Sequence, residues 1–186
     1  MPDEIRMRED EYFRKKDQEL IEKMRRAAAA AAARRELGIK AGVTPEHVQE
    51  LEDLGFTIET VVLLAFVPLV QVAWAEGGVS SAERDLIVKF ARARGVAEGS
   101  PADKQLSAWL TSSPGQEMFT RAARLIRAIL DSPAAAATTL TADDLVDYCE
   151  RIAAASGGIF GLNKVSSEER AVLSQLASDL TVRRKA

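Results

Sequence analysis

The stretch at residues 69–87, LVQVAWAEGGVSSAERDLI, decides the fold of this chain. An apolar run ends in an acidic loop with two glycines, and a second amphipathic run begins directly after the loop. Ser80 and Glu83 stand three residues apart at the start of the second run, which is the pattern of a capping box. In a capping box the serine hydroxyl accepts the amide of the glutamate, whose carboxylate accepts the serine amide. The stretch therefore predicts a helix, a tight loop and a second helix.

A variant of this stretch lies near the C-terminus. Residues 79–84 read VSSAER and residues 165–170 read VSSEER, and each follows a Gly-Gly pair and precedes an apolar run. Ser166 and Glu169 repeat the capping-box pattern. The second copy has additional residues, 159–164, between its glycines and its valine. Self-similarity of this kind predicts two related helical hairpins within one domain.

The sequence AWAEGGV between two apolar runs, followed by Ser-x-x-Glu-Arg, resembles the tellurite-resistance TerB-like family. The resemblance covers residues 59–180. It implies an all-α domain in which acidic residues of two loops face each other, and a bacterial, non-enzymatic module connected with stress response and the membrane surface. The chain departs from the family pattern in both loops, because Glu76 replaces an aspartate and Ser156 stands in the second acidic position.

Metal binding at the acidic loops is a second implication of the resemblance. The candidate ligands for a divalent cation such as calcium are Glu76, Glu83 and Glu169, with Asn163 as the other oxygen ligand nearby in sequence. Calcium takes about six to eight oxygen ligands, so this set is sparse. The competing interpretation, that the glutamates only complete capping boxes, is better supported. No cofactor is therefore firmly indicated.

The composition limits the classes of partner. The chain has 186 residues, 47% of them hydrophobic, which is enough for one domain and an appendage. A net charge of -3 and an aromatic content of only 5% argue against a nucleic-acid partner, which requires a basic face or stacking side chains. We expect a protein partner, with any membrane association made through that partner. Neither the partner's identity nor the oligomeric state follows from the sequence.

Catalytic chemistry finds little support in the sequence. His47 is the only histidine, and no partner for it can be placed. The Gly-Gly pairs lack the following Gly-Lys-Ser/Thr of a phosphate-binding loop. The single cysteine, Cys149, lies in a helical pattern and is predicted to be a buried, inert thiol. We therefore expect a protein that is not an enzyme.

The sequence predicts a cytoplasmic location. The N-terminus has no apolar segment typical of a signal peptide. The most apolar run, residues 61–75, is interrupted by Pro68 and Gln71 and is shorter than the roughly 20 residues that span a bilayer. A buried core helix explains this run better than a membrane span does.

Residues 3–36 are predicted to form one long helix, because acids lead it, bases close it and an alanine run fills residues 27–33. Its apolar stripe is narrow: the large residues Phe13, Leu20 and Met24 are followed by Ala27, with Tyr12 and Ile21 beside them. Sustained heptads are too few to predict a coiled coil. Such a stripe fits either a solvated extension or an arm that docks on another protein. Phe160, in the additional segment of the second copy, either packs into the core, which we favour, or adds a small apolar surface.

The chain is thus predicted to be all-α, a TerB-like bundle of about seven helices with a long N-terminal helix. We predict three segments: the helix at 1–36, a hinge and short helix at 37–58 with the hinge at 38–42, and the TerB-like domain at 59–186. No segment shows the alternation typical of a strand. The helices after the first are predicted at residues 45–54, 57–76 with a kink at Pro68, 80–94, 102–110, 116–130, 142–155 and 167–180.

Overall fold

The computed structural model describes residues 2–131, 142–155 and 165–180, with the backbone alone at residues 2–11, 142 and 180. These residues form α-helices and one 3₁₀ helix and contain no strand, so the predicted all-α class is confirmed. The 3₁₀ helix, Val61–Phe66, precedes α3. The α-helices are α1 (Pro2–Ala41), α2 (Pro45–Asp53), α3 (Val67–Ala73), α4 (Ser81–Ala93), α5 (Pro101–Thr111), α6 (Gln116–Leu130), α7 (Ala142–Ala155) and α8 (Ser167–Leu180).

The chain divides into two compact units, Met1–Glu36 and Leu37–Ala186. The first contains most of the predicted long N-terminal helix, which continues to Ala41 instead of ending near residue 36. Residues 38–41, predicted as part of a hinge, are the last residues of this helix, and Gly38 lies close to Val48. A Cβ atom on Gly38 would lie 2.8 Å from Cγ2 of Val48. Gly42 follows the helix with a φ of +70°, a conformation that glycine adopts readily.

The second unit is organised around α3, whose residues are almost all buried. This helix packs against α4, α6, α7 and α8. The prediction of a single kinked helix over residues 57–76 is wrong, because a 3₁₀ helix and the short α3 replace it. Pro68 lies in the first turn of α3. Amides of the first turn have no acceptor within the helix, so the missing amide of proline costs no hydrogen bond there.

The two predicted hairpins lie side by side in this unit. The first consists of α3 and α4, the second of α7 and α8, and α7 packs against both helices of the first. Cys149 of α7 is only 1% exposed, and burial raises the pKa of its thiol to about 12. The predicted burial of this thiol is therefore confirmed.

The remaining helices cover the sides of this core. α2 packs against α6, and Arg121 of α6 lies 3.5 Å from the Glu50 carboxylate of α2. α5 packs against the 3₁₀ helix, and its Trp109 ring meets Phe56 edge-on at a centroid distance of 6.0 Å. In the residues that the structure describes, no helix is both long and apolar enough to cross a membrane.

Candidate functional site: the repeated loops and the apolar stripe of α1

Both predicted capping boxes are present. In the first, the Ser80 amide donates to Oε2 of Glu83 at 2.8 Å, and the Glu83 amide donates to the Ser80 hydroxyl at 3.3 Å. In the second, the Ser166 amide donates to Oε2 of Glu169 at 2.8 Å, and the Glu169 amide donates to the Ser166 hydroxyl at 3.1 Å. The two copies thus satisfy the first amides of α4 and α8 in the same way.

Glu83 and Glu169, which we call the paired glutamates, are the most buried acids in the described structure, with exposed fractions of 2% and 1%. The packing of the hairpins places them close enough to interact electrostatically. Desolvation raises the pKa of Glu83, its hydrogen bonds to Ser80 oppose this rise, and the negative charges of Glu169 and Glu76 add to it. The negative charge of Glu169, in the second copy, therefore contributes to the raised pKa of Glu83 in the first.

The predicted metal-ligand set is only partly visible. Glu76 is exposed within the first loop, whereas Asn163 lies outside the described residues. Each paired glutamate already accepts a backbone amide through Oε2. Across residues 2–131, 142–155 and 165–180, no group of three or more His, Cys, Asp or Glu side chains could hold a metal ion.

The first loop is tied to the end of α5, a feature that the sequence analysis missed. The Trp74 indole nitrogen donates to the carbonyl oxygen of Trp109 at 2.8 Å. The Arg84 guanidinium donates to the neighbouring carbonyl oxygen, that of Leu110. Both carbonyls belong to the last turn of α5, where helical amides are no longer available as donors. The signal in the sequence is the indole of Trp74, since a part-buried indole N–H normally finds an acceptor.

An aromatic pair joins the two hairpins. Phe90 of α4 and Tyr148 of α7 lie 4.8 Å apart between ring centroids. The Arg151 guanidinium lies 4.9 Å from the Phe90 centroid and that of Arg94 lies 5.7 Å from the Tyr148 centroid. Helical spacing predicts that Phe90 and Tyr148 face inward, but it does not pair residues that are far apart in sequence.

The second candidate surface is the apolar stripe of α1, which consists of Phe13, Leu20 and Met24. Their exposed fractions are 62%, 56% and 64%, and Tyr12 and Ile21 beside them are also at least half exposed. Every residue from Tyr12 to Glu36 is exposed. Phe160, the other predicted partner-binding residue, lies outside the described residues.

Ion pairs accompany this stripe along α1. Lys16 pairs with Glu19 at 3.6 Å, and Arg26 pairs with Glu22 one helical turn away. Pairs at these spacings support an isolated helix by roughly 0.2–0.5 kcal/mol each, and alanine adds the highest helix propensity. Local sequence therefore favours a helix over residues 12–36.

The single histidine hydrogen-bonds within its own turn. Nδ1 of His47 lies 2.9 Å from the Thr44 hydroxyl at the start of α2. This contact is local, and it gives the imidazole a structural partner at the N-terminus of the helix.

Comparison of the chain with models of protein families, with curated proteins and with solved structures gives no match.

Proposed function

We propose that this protein is a non-enzymatic interaction module that docks a protein partner through α1. One observation carries the proposal: the apolar stripe is more than half exposed at Phe13, Leu20 and Met24. An exposed series of large apolar side chains along one helix face is typical of a helix that pairs with another apolar surface. The resemblance to TerB-like proteins points to a scaffold in the same way.

The energetics of the stripe support a specific but reversible contact. Complete burial of one side chain of this size stabilises by roughly 1.5–3 kcal/mol, so the three together would supply roughly 5–9 kcal/mol. The loss of translational and rotational freedom on association offsets a large part of this. The partner surface suited to the stripe is a second apolar helix face, flanked by charges that complement those of α1.

Photocrosslinking tests this proposal in the cell. A photoreactive amino acid is placed at Leu20 or Met24. In matched controls it is placed at Gln18 or Ala29, which are also exposed and lie on the side of the helix opposite the stripe, called its outer side below. We expect one defined product from the stripe positions and none from the control positions. The product should disappear when Phe13 and the remaining stripe residue are changed to glutamate. Equal products from all four positions, or no product at all, would contradict docking through the stripe.

A divalent-cation-binding regulatory module is the second candidate function. Its supporting observation is that the negative charges of Glu169 and Glu76 help to raise the pKa of Glu83. A bound calcium ion would relieve this repulsion between like charges. Glu76, Glu83 and Glu169 would supply carboxylates, and Asn163 would supply an amide oxygen.

A calcium titration by calorimetry, with thermal melts alongside, separates the two candidates. Binding to the folded state must raise the melting temperature by mass action. A cation module should show saturable heat that Glu76→Gln combined with Glu169→Gln abolishes. An interaction module should show no heat and no shift at millimolar calcium, and its crosslink at Leu20 should survive the same two changes.

The resemblance to TerB-like proteins extends the proposal to stress response. Its test is growth of the source organism in tellurite with the chain intact or with the stripe changed to glutamate. Loss of tolerance with the altered stripe alone would connect docking to the stress response. Identical growth of the two strains would separate the docking activity from tellurite.

A further inference from the structure

The apolar stripe continues a regular series along α1. Alternate steps of four and three residues lead from Phe13 through Asp17, Leu20, Met24 and Ala27 to Ala31. Steps averaging 3.5 residues keep side chains on one line of a helix and are typical of helices that pair lengthwise. All six residues are exposed in this chain. The series is short, and a single acid, Asp17, interrupts it.

The series has a symmetry that suits a second copy of itself in the opposite direction. Reflection about residue 22 brings Leu20 to Met24 and Phe13 to Ala31. The Phe13 ring is thus placed opposite the methyl group of Ala31, and the long side chains of Leu20 and Met24 meet near the centre. Asp17 falls opposite Ala27, so it meets no second charge. A two-fold interface requires this kind of self-complementarity, because each contact occurs twice.

The charges along α1 follow the same symmetry. Glu9, Asp10 and Glu11 occupy helix positions that reflect onto residues 33–35, where the sequence has Arg34 and Arg35. The basic residues 14–16 reflect onto the alanines 28–30. In a parallel pair in register, both the acidic and the basic block would face their own copies. Like charges placed against each other disfavour association, so the antiparallel direction is the favoured one.

We propose that α1 pairs with α1 of a second copy of this chain in antiparallel orientation, centred near Glu22. The proposal rests on the proposed function and names the partner of the apolar stripe. Asp17 and the small alanines limit the strength of the pair, so the dissociation constant is on the order of 1–100 µM.

Sedimentation equilibrium of the full chain from about 1 to 300 µM tests self-association across this concentration range. Leu20→Glu combined with Met24→Glu should weaken the dimer at least about tenfold, because two charges enter its centre. The control, Gln18→Glu combined with Ala29→Glu, adds the same charge on the outer side and should change the dissociation constant by less than about threefold. Circular dichroism verifies that both variants keep the helices. A monomer at all concentrations, or equal effects of the two variants, would overturn the proposal.

Spin labels determine the direction of the pair. Glu22 and Glu36 are two heptads apart on the outer side of α1, so Glu22→Cys and Glu36→Cys place labels at equal lateral distance. In the antiparallel pair the two labels at residue 22 lie at the same height along the helix axis. The two labels at residue 36 are separated by about 42 Å along the axis, since each lies 14 residues from the centre and each residue rises about 1.5 Å. In a parallel pair both distances would be short and equal, which would overturn the proposed orientation. Cys149 is buried, and the unsubstituted chain controls for its labelling.

The failure of this inference differs from the failure of the proposed function. If the purified chain stays monomeric while Leu20 still crosslinks to a different protein, the stripe docks a partner that is not a second copy. If the chain is monomeric and Leu20 crosslinks to nothing, both proposals fail. If the crosslinked product has twice the mass of the chain and its two tryptic peptides both derive from residues 12–36, both are supported.

Discussion

The two copies of the repeat share their helix caps and differ in the contacts of the described residues beside their loops. In both copies a serine and a glutamate form the same pair of hydrogen bonds at the start of the second helix. In the first copy Trp74 and Arg84 reach the last turn of α5. In the second, exposed Ala154 stands in place of Trp74, and Arg170 donates to the Val165 carbonyl of its own loop at 3.2 Å.

This difference separates local from tertiary causes. A capping box involves only four consecutive residues, so its two hydrogen bonds are local. The hydrogen bonds of Trp74 and Arg84 need carbonyl oxygens that accept no amide within their own helix. The last turn of the neighbouring α5 supplies them. We therefore expect equal changes at the caps to have equal effects in the two copies, and equal changes at the anchors to have unequal effects.

Trp74→Ala should produce the largest difference between the copies. Loss of a part-buried indole and of its hydrogen bond to Trp109 should lower the free energy of unfolding by about 2–4 kcal/mol. The matched change in the second copy, Ala154→Ser at an exposed position, should lower it by less than about 0.5 kcal/mol. Urea denaturation followed by circular dichroism measures both. Similar losses at the two positions would show that the anchor on α5 does not stabilise the first loop.

Arg84→Ala and Arg170→Ala compare the two arginines directly. The Arg84 guanidinium donates to an α5 carbonyl, so its removal should cost about 1–2 kcal/mol. Arg170 is exposed, so its removal should cost less than about 0.5 kcal/mol. The same denaturation experiment applies, and a larger effect at Arg170 would reverse our assignment of the anchored copy.

Glu83→Ala and Glu169→Ala test the expected equality of the caps. Each change removes the acceptor of a serine amide and should cost about 1 kcal/mol. Gln in place of either glutamate can still accept that amide and should retain most of the stability. Glu98→Ala, at an exposed position outside both caps, serves as the control and should have almost no effect. Strongly unequal costs at Glu83 and Glu169 would show that tertiary packing outweighs the caps.

The pH dependence of stability gives the smallest and most specific test. The pKa of Glu83 in the folded chain lies above its ordinary value of 4.5, so the folded state keeps this proton to a higher pH than the unfolded state. The contribution of Glu83 to the free energy of unfolding should therefore fall as the pH rises from about 4.5 through the folded pKa. Glu83→Gln should remove this part of the slope. Glu169→Gln should reduce it, because one of the repelling charges is lost.

Exposed Glu98→Gln is the control for these titrations. It should leave the slope contributed by Glu83 unchanged, since Glu98 is not among the groups that shift the pKa of Glu83. An unchanged slope in Glu83→Gln would mean that Glu83 does not titrate differently in the folded and unfolded states.

Much of the helical architecture could be predicted from the sequence, since its signals are local. The Ser-x-x-Glu patterns located the starts of α4 and α8. The prediction failed where two neighbouring signals competed. A continuous apolar run suggested one helix through Pro68, but the chain forms a 3₁₀ helix and then begins α3 at the proline.

The candidate site could be predicted only residue by residue. The apolar stripe follows from helical spacing, and its exposure is what the structure adds. The acidic residues could be named from the repeat. The burial of Glu83 and Glu169, and the effect of the Glu169 charge on the pKa of Glu83, depend on how the two hairpins pack. Trp74 required a partner, yet nothing in its neighbourhood along the chain indicated the Trp109 carbonyl.

The sequence by itself determined the all-helical class, the long N-terminal helix, the two caps and the buried thiol of Cys149. Each of these depends on residues within a few positions of one another, where backbone geometry limits the alternatives. Only the tertiary structure decided that Gly38 lies tightly against Val48, that α5 holds the first loop, and that the paired glutamates interact. These contacts join residues far apart in sequence, and they form only when the packing of the whole core has fixed which surfaces meet.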